Sequence, residues 1–289
     1  MDILCKNINE LGEGPTWDPK NKVLYWIDIT KCKIHCYNPA EQSTQTWETE
    51  SHIGSLALKE SGGLVLALKD GFYDFDLKSG KSSLITIADN DQNRRFNDGK
   101  CDPSGRFWAG TMHYDEADPL GSLYCLDKNG TSKKAFDSVF CSNGLAWSND
   151  KTQFYYIDSQ LHRVDAFDYD DESGTLSNRR IAIELKDAKG FPDGCTIDVD
   201  GMLWIAFWEG GRIDRYNPKN AQLIETIKIP GVEKVTSCTF GGENLDELYI
   251  TTASIGYSEK ELEQQEHAGS LLRIKINHTK GLTTNYFRA

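Results

Sequence analysis

Four oxygen-bearing side chains occupy matching places in four repeated segments of the sequence. Each segment has a polar residue near a glycine, a short alternating run, a turn, and a second run that contains aromatic residues. The polar residues, which lie ten or eleven positions ahead of the second run, are Glu13, Asn97, Asn143 and Asp193. Carboxylate and amide oxygens are the ligands that hard divalent cations prefer. The spacing therefore indicates an oxygen-lined site assembled from separate repeats.

A divalent cation would explain why Glu13 and Asp193 share such a place. Two carboxylates in one narrow space repel each other and lose hydration, so they are costly unless positive charge lies between them. With Asn143 as a neutral ligand, the set Glu13, Asn143 and Asp193 suits Ca²⁺, Mg²⁺, Mn²⁺ or Fe²⁺, and Zn²⁺ stays open as a reactive ion. Asn-Gly and Asp-Gly are also common turn dipeptides, and this alternative stays open for any single repeat.

Strand-forming runs dominate the chain and repeat at a regular interval. The second run of each unit begins at Leu24, Leu64, Phe107, Phe154, Leu203 and Leu248, at intervals of 40, 43, 47, 49 and 45 residues. Third and fourth runs follow most of them. Six units of four antiparallel strands predict an all-β, six-bladed propeller around a central channel, as one domain over residues 1–289. We expect residues 3–8 to add an outer strand that closes the ring.

The propeller prediction explains how the four polar residues could meet. The first strand of each blade lines the channel, so equivalent positions on these strands converge at one mouth. The loops that join second and third strands open on the same face, including residues 112–121 and 207–211. Phe207 and Trp208 could form an aromatic wall there, although core packing explains them equally well. His113 could act as a base, although an isolated loop histidine is more often incidental.

Three other features complete the structural predictions. Residues 257–267 break the strand pattern, and Ser258 with Glu261 matches a capping box, which predicts a short helix or lid. Residues 168–174, DYDDESG, begin like a calcium-binding loop but lack a Glu at the twelfth position, so we predict a hairpin turn. The eight cysteines have no paired spacing, which favours reduced, buried thiols.

Charge and composition exclude some partners. The formal net charge is −12, and the basic residues form no stripe, which argues against nucleic acid and anionic membrane surfaces as partners. The start of the chain lacks a secretory pattern, and no apolar run reaches membrane-spanning length. We therefore expect a cytoplasmic protein that is a monomer or a weak homo-oligomer and acts on a small molecule.

Several motifs together resemble the family of senescence marker protein, gluconolactonase and luciferin-regenerating enzyme. They are LGEGPTWD at 11–18, RRFNDGKCDPSGRFWAGTM at 94–112, SNGLAWSND at 142–150 and FPDGCTIDVDGMLWIAFW at 191–208. The resemblance implies a six-bladed propeller that hydrolyses aldonolactones, with one divalent metal held by Glu13, Asn143 and Asp193. It also implies that Arg95 and Asn97 contact the substrate and that Asp193 serves as the base.

One departure from the family pattern concerns the loop after Thr111-Met112. Animal members of the family place a sugar-binding Glu there, whereas this chain has Asp115 followed by Glu116. We predict Asp115 and Glu116 as substrate-binding residues, with a reach altered by about one methylene. The ending of the chain is more similar to bacterial sugar lactonases.

The combined prediction is metal-dependent hydrolysis of a sugar lactone to the aldonic acid. In this hypothesis the cation acts as a Lewis acid on the lactone carbonyl, while Asp193 takes a proton from the attacking water. Two alternatives stay open. One is a phosphotriesterase-like hydrolase, and the other is a non-catalytic, calcium-binding regulatory propeller.

Overall fold

The chain forms six four-stranded antiparallel sheets that follow one another around a ring. The first five repeats each form one sheet, and the last repeat supplies three strands of the sixth. The computed structural model describes all residues from 1 to 289. The strand order within the sheets is that of a β-propeller, with consecutive strands paired from the channel outwards. The all-β, six-bladed prediction is therefore confirmed.

The first strand of the chain, β1 (Asp2–Cys5), belongs to the last blade. Blades one to three follow in order and consist of β2 (Gly12–Asp18), β3 (Val23–Asp28), β4 (Lys33–Asn38), β5 (Ser43–Glu48), β6 (Ile53–Leu58), β7 (Leu64–Leu68), β8 (Gly71–Asp76), β9 (Lys81–Ile87), β10 (Arg94–Cys101), β11 (Phe107–His113), β12 (Gly121–Leu126) and β13 (Ser132–Val139).

Blades four to six complete the ring. Their strands are β14 (Ser142–Trp147), β15 (Gln153–Asp158), β16 (Arg163–Asp170), β17 (Thr175–Glu184), β18 (Phe191–Ile197), β19 (Leu203–Trp208), β20 (Arg212–Asn217), β21 (Gln222–Lys228), β22 (Val235–Gly241), β23 (Glu247–Thr252) and β24 (Leu271–Lys275). A 3₁₀ turn (Ser159–Leu161) follows β15, and helix α1 (Glu259–Leu262) lies between β23 and β24.

The hydrophobic core lies between neighbouring blades. One cluster joins Ile157 of blade four to Ile205 and Phe207 of blade five, and another joins Ile27 of blade one to Leu66 of blade two. All five side chains are fully buried. Full burial of such a side chain stabilises the fold by about 1.5–3 kcal/mol. The inter-blade contacts therefore fix the mutual positions of the inner strands.

The ring is closed by the N-terminal strand. Strand β1 pairs antiparallel with β24, with Ile3 opposite Leu272, and Asp2 forms an ion pair with Arg273 at 2.7 Å. The prediction that this segment supplies the outer strand is confirmed, and the strand occupies Asp2–Cys5 rather than all of 3–8. This pairing joins the start of the chain to the last blade, so β24 is not left as an exposed outer edge.

All six inner strands are irregular at the same depth in the channel. Their pairing with the second strands shifts register at Glu13/Thr16, Ile53/Ser55, Phe96/Gly99, Asn143/Leu145, Pro192/Cys195 and Val235/Ser237. A β-bulge of this kind leaves one or two residues unpaired and re-aims their side chains. Four of the bulges therefore lie at or next to the predicted polar residues Glu13, Asn97, Asn143 and Asp193.

The C-terminal segment, residues 280–288, crosses the opposite end of the channel. It hydrogen-bonds to blades one, two, three, five and six through Trp17, Leu58, Cys101, Gly105, Val199 and Leu245. Within it, the side chain of Phe287 is buried between blades two and three. The segment therefore closes the end of the channel where the inner strands finish.

The local predictions agree with the structure. Ser258 and Glu261 form a complete capping box at the start of α1. Residues 168–174 contain the hairpin turn between β16 and β17, in which Asp170 accepts a hydrogen bond from the backbone of Ser173. All eight cysteines are free thiols as predicted, but only four of them are buried, namely Cys101, Cys141, Cys195 and Cys238. Neither helix has the length and apolarity needed to cross a lipid bilayer.

Gly54 allows blades two and three to approach closely beside the bulges. A Cβ atom at this position would lie 2.4 Å from the carbonyl carbon of Phe96 and 2.6 Å from the backbone oxygen of Asn97. We predict that Gly54→Ala lowers the free energy of unfolding by about 1–3 kcal/mol, because backbone atoms must move.

Denaturant unfolding of the purified variant would measure this change. Ser55→Ala on the same strand is the control, because the Ser55 hydroxyl is buried without a hydrogen-bond partner and its removal should be nearly neutral. Equal stability of the two variants would contradict the prediction.

Candidate metal and substrate site

A cavity of about 200 Å³ lies at the channel mouth where the inner strands begin. It is lined by Leu11, Glu13, Ile29, Arg95, Asn97, Met112, Glu116, Cys141, Asn143, Ser159, Gln160, Phe191, Asp193 and Trp208. Four different blades, one, three, four and five, supply these residues. The predicted convergence of Glu13, Asn97, Asn143 and Asp193 therefore agrees with the structure.

Three carboxyl groups are buried together at this mouth. Glu13, Asp98 and Asp193 are each only 6% exposed. Burial, together with the nearby charge of Asp98, raises the pKa of Glu13 to about 8. Burial and the charges of Glu13 and Asp98 raise the pKa of Asp193 well above its usual range. The cluster therefore favours either bound protons or a compensating positive charge.

The polar atoms of Asp193 and Glu13 are only partly satisfied by the protein. Asp193 Oδ1 is buried and has no hydrogen-bond partner, and Glu13 Oε2 accepts a hydrogen bond from the backbone of Gly14 at 2.9 Å. An unpartnered buried carboxylate oxygen is costly unless a ligand meets it. Asp193 Oδ1 is therefore the atom of this cavity that most requires an external partner.

A chain of hydrogen bonds orients the two amides of the cavity. Arg95 donates to Asn97 Oδ1 at 2.7 Å, and Asn97 Nδ2 donates to Asn143 Oδ1 at 2.9 Å. Asn143 Nδ2 then donates to Ser159 Oγ at 2.8 Å, and Ser159 Oγ donates to the backbone oxygen of Pro192 at 2.6 Å. This relay joins blades three, four and five and fixes which atom each amide presents.

Glu116 reaches the cavity, whereas Asp115 does not. Glu116 has a left-handed backbone with φ of 52°, and its Oε2 accepts a hydrogen bond from Gln160 Nε2 at 3.2 Å. The side chain of Asp115 is 80% exposed and is absent from the cavity wall. The structure thus brings a full-length Glu to the site, and the predicted loss of one methylene does not apply to it.

Of the two residues that could form an aromatic wall at the mouth, Trp208 lines the cavity and Phe207 does not. The ring of Trp208 lies 5.0 Å from the ammonium group of Lys234, which also lies 4.1 Å from the ring of Tyr257. Phe207 is fully buried in the core between blades four and five.

His113 does not line the cavity, and its ring accepts a hydrogen bond from the backbone of Asp115.

Sequence reasoning missed Ser159 and Gln160. Both follow β15 directly, at the start of the loop between the second and third strands of blade four. The rule that such loops open on the site face would have included them, although neither residue type stands out in a polar loop. Cys141 and Met112 also line the wall, with their sulfur atoms 3.7 Å apart.

The donor set fits a hard divalent cation. The set consists of two carboxylates and one amide oxygen, from Glu13, Asp193 and Asn143. A bound positive charge would lower the raised pKa values of the two carboxyl groups. No group of three or more His, Cys, Asp or Glu residues is arranged to hold a metal. A cation held by this set would use the amide oxygen of Asn143 beside the two carboxylates.

Residues 11–254 match the family model described as the SMP-30/Gluconolactonase/LRE-like region. The chain belongs to this family. Among relatives, it is 40% identical to regucalcin of Xenopus laevis, with 99% of this chain and 98% of that protein covered. It is 39% identical to YvrE of Bacillus subtilis, which is named as a candidate sugar lactone lactonase, over 92% of this chain and 91% of that one.

Solved structures of family members have the same architecture. A luciferin-regenerating enzyme is similar with a TM-score of 0.92 and 32% identity, over 99% of this chain and 97% of that chain. A calcium-binding protein, regucalcin, from Agrobacterium tumefaciens is similar with a TM-score of 0.94 and 26% identity, with the same coverage. Both likenesses therefore extend over nearly the whole chain.

The raised pKa of Glu13 predicts a pH-dependent stability in cation-free buffer. An unfolded Glu releases its proton near pH 4.5, whereas folded Glu13 keeps it up to about pH 8. Between these values the folded chain holds a proton that the unfolded chain has lost, so stability falls as pH rises.

Thermal unfolding in a chelating buffer, from pH 5 to pH 8, would show a falling Tm. Glu13→Gln has no titrating group at this position, so its slope should be shallower than that of the wild type. Parallel slopes for the two proteins would refute the assignment.

Proposed function

We propose that this propeller hydrolyses sugar lactones with the help of a divalent cation at the channel mouth. The observation that carries the proposal is the unpartnered Asp193 Oδ1 among buried carboxyl groups, beside the side chains of Arg95 and Glu116. The family description names gluconolactonase, which supports the same reaction class. The products would be the corresponding aldonic acids.

Glu13, Asn143 and Asp193 would hold the cation. When bound, it would supply Lewis acidity for an ester carbonyl and would lower the pKa of a coordinated water. The relay through Asn97 and Ser159 keeps the amide oxygen of Asn143 directed towards the cavity and its nitrogen directed away. Because all three donors are oxygen atoms, this set suits cations that prefer oxygen ligands.

Asp193 would serve as the proton acceptor. Its buried Oδ1 accepts no hydrogen bond within the chain, so this oxygen is free to take a proton. A water molecule near Oδ1 would lose a proton to this oxygen as it attacks the lactone carbonyl carbon. The ring C–O bond then breaks, and the proton passes to the departing alkoxide, which completes the hydroxy acid.

Arg95, Asn97 and Glu116 would recognise the sugar hydroxyls. Arg95 is a donor that stays charged, and Glu116 accepts hydrogen bonds, so the pair offers both polarities to a polyhydroxyl ring. The ring of Trp208 lies across the same cavity and suits the apolar face of a sugar. A volume of about 200 Å³ limits the substrate to a small molecule.

A substrate panel would test the proposal. Purified protein would be stripped with a chelator, reloaded separately with Ca²⁺, Mg²⁺, Mn²⁺ or Zn²⁺, and assayed by pH-stat with pentonolactones, hexonolactones and an organophosphate ester. Cation-dependent release of acid from the lactones would support the proposal. Cation binding without turnover of any ester would instead support a binding function, in keeping with the regucalcin of Agrobacterium that is described as calcium-binding.

Asp193→Asn should abolish most of the activity. Loss of a general base lowers kcat by about 10²- to 10⁴-fold, and the amide also removes one negative ligand. Lactone hydrolysis and bound-cation content would be measured together. Asp187→Asn, an exposed residue near the same blade, is the control and should retain full activity. Near-normal kcat in Asp193→Asn would remove its assigned role.

Substitutions in the loop after β11 separate the two neighbouring acids. Glu116→Gln should raise KM for hydroxylated lactones about tenfold, because a charge-assisted hydrogen bond to the substrate is weakened. Asp115→Asn should change KM by no more than about twofold, as expected for an exposed side chain. Steady-state kinetics would decide, and the opposite pattern would show that Asp115 turns inwards to bind substrate.

A further inference from the structure

The central channel contains a second cavity at the end opposite the candidate site. This far cavity has a volume of about 300 Å³, and all six inner strands contribute to its wall. Residues 282–285 of the C-terminal segment also line it. None of its lining residues belongs to the cavity at the other mouth.

The far cavity is built from a second ring of equivalent positions. Each inner strand contributes one residue to a first ring at the acidic mouth and a second residue, three positions later, to the far cavity. The first ring consists of Glu13, Ile53, Asn97, Asn143, Asp193 and Thr236. The second ring consists of Thr16, Leu56, Lys100, Ala146, Thr196 and Thr239. All of these later residues line the far cavity. Three strand residues span roughly 10 Å, so the two rings are separate sites in one channel.

The two rings differ in charge. The first contains Glu13 and Asp193, whereas no Asp or Glu lines the far cavity, although the chain has 44 acidic residues. The far cavity instead has two lysines. Lys151 pairs with Asp171 at 3.5 Å on the outer surface, which leaves Lys100 as the internal positive charge.

Lys100 and several threonines retain hydrogen-bonding capacity. Lys100 Nζ donates to the backbone oxygen of Cys195 at 2.6 Å, and it makes no other hydrogen bond, although an ammonium group has three donors. The hydroxyls of Thr196, Thr239 and Thr283 make no hydrogen bond within the chain. The positive charge of Lys100 also acts on the buried carboxyl group of Asp98 and opposes the rise in its pKa, although Asp98 does not line the far cavity. The cavity wall itself thus combines one cation with free hydroxyl donors.

We propose that the far cavity binds the anionic oxygen group of a small polar molecule, either a carboxylate or a phosphate. Lys100 supplies the charge, and Thr196, Thr239 and Thr283 supply neutral hydrogen bonds to the remaining oxygens. Because Thr283 belongs to the C-terminal segment and the other residues to three blades, a bound anion joins the segment to the ring. This inference is independent of the proposed lactonase activity.

Calorimetric titration of the full chain would test the site. The titrations would use chelator-treated protein, so that no cation at the channel mouth binds the anions, with three probes: inorganic phosphate, gluconate, and glucitol as an uncharged polyol. Saturable binding of phosphate or gluconate, without binding of glucitol, is expected. The comparison of the two anions identifies whether the cavity prefers phosphate or carboxylate.

Two variants assign the binding to the far cavity. Lys100→Met keeps the length of the side chain but removes its charge, and it should weaken anion binding about tenfold or more. Lys128→Met on the exposed surface is the control and should bind as the wild type does. Thr239→Val is nearly isosteric and breaks no existing hydrogen bond, so it keeps the test valid if Lys100→Met is unfolded, with a weakening of about threefold or more.

Absence of saturable binding of both anions up to about 10 mM would overturn the proposal, because affinities below that level are not specific recognition. Binding that is unchanged in a folded Lys100→Met variant or in Thr239→Val would also overturn it. Tight binding of glucitol would show that the cavity recognises a polyol rather than an anion.

Discussion

Burial of like charges at one channel mouth is the constraint on which the rest of this structure depends. Glu13, Asp98 and Asp193 are held in a space that water barely reaches, and each raises the energy of the others when ionised. Such a cluster is stable only if protons or a cation offset the charge. The bulges of the inner strands lie at this depth in the channel. The fold tolerates the electrostatic cost of the buried carboxyl groups because large hydrophobic cores between the blades stabilise it elsewhere.

The amide relay turns that electrostatic constraint into a defined geometry. Each member of the relay donates a hydrogen bond to the next, from Arg95 through Asn97 and Asn143 to Ser159. Neither amide can therefore rotate without breaking a buried hydrogen bond. Three blades contribute to the relay. Correct orientation of the cavity atoms therefore depends on the closed ring, which links the stability of the whole propeller to the geometry of a few side chains.

Much of the fold and part of the site could be predicted from the sequence. The 40 to 49 residue period and the turn dipeptides define the blades, and equivalence between repeats identifies Glu13, Asn143 and Asp193. Side-chain direction within irregular loops could not be predicted. The left-handed backbone at Glu116 directs that residue inwards and leaves its neighbour Asp115 in solvent, and no spacing rule encodes such a choice. The far cavity was also missed, because the C-terminal segment that lines it matches no repeat.

The path of the two chain ends has a consequence for biosynthesis. The N-terminal strand can pair only with β24, and residues 280–288 reach across the end of the ring to five blades. Single blades can form while the ribosome is still translating, since their strands are consecutive. Because ring closure joins β1 to β24, the channel mouth is complete only after β24 has been synthesised and has left the exit tunnel.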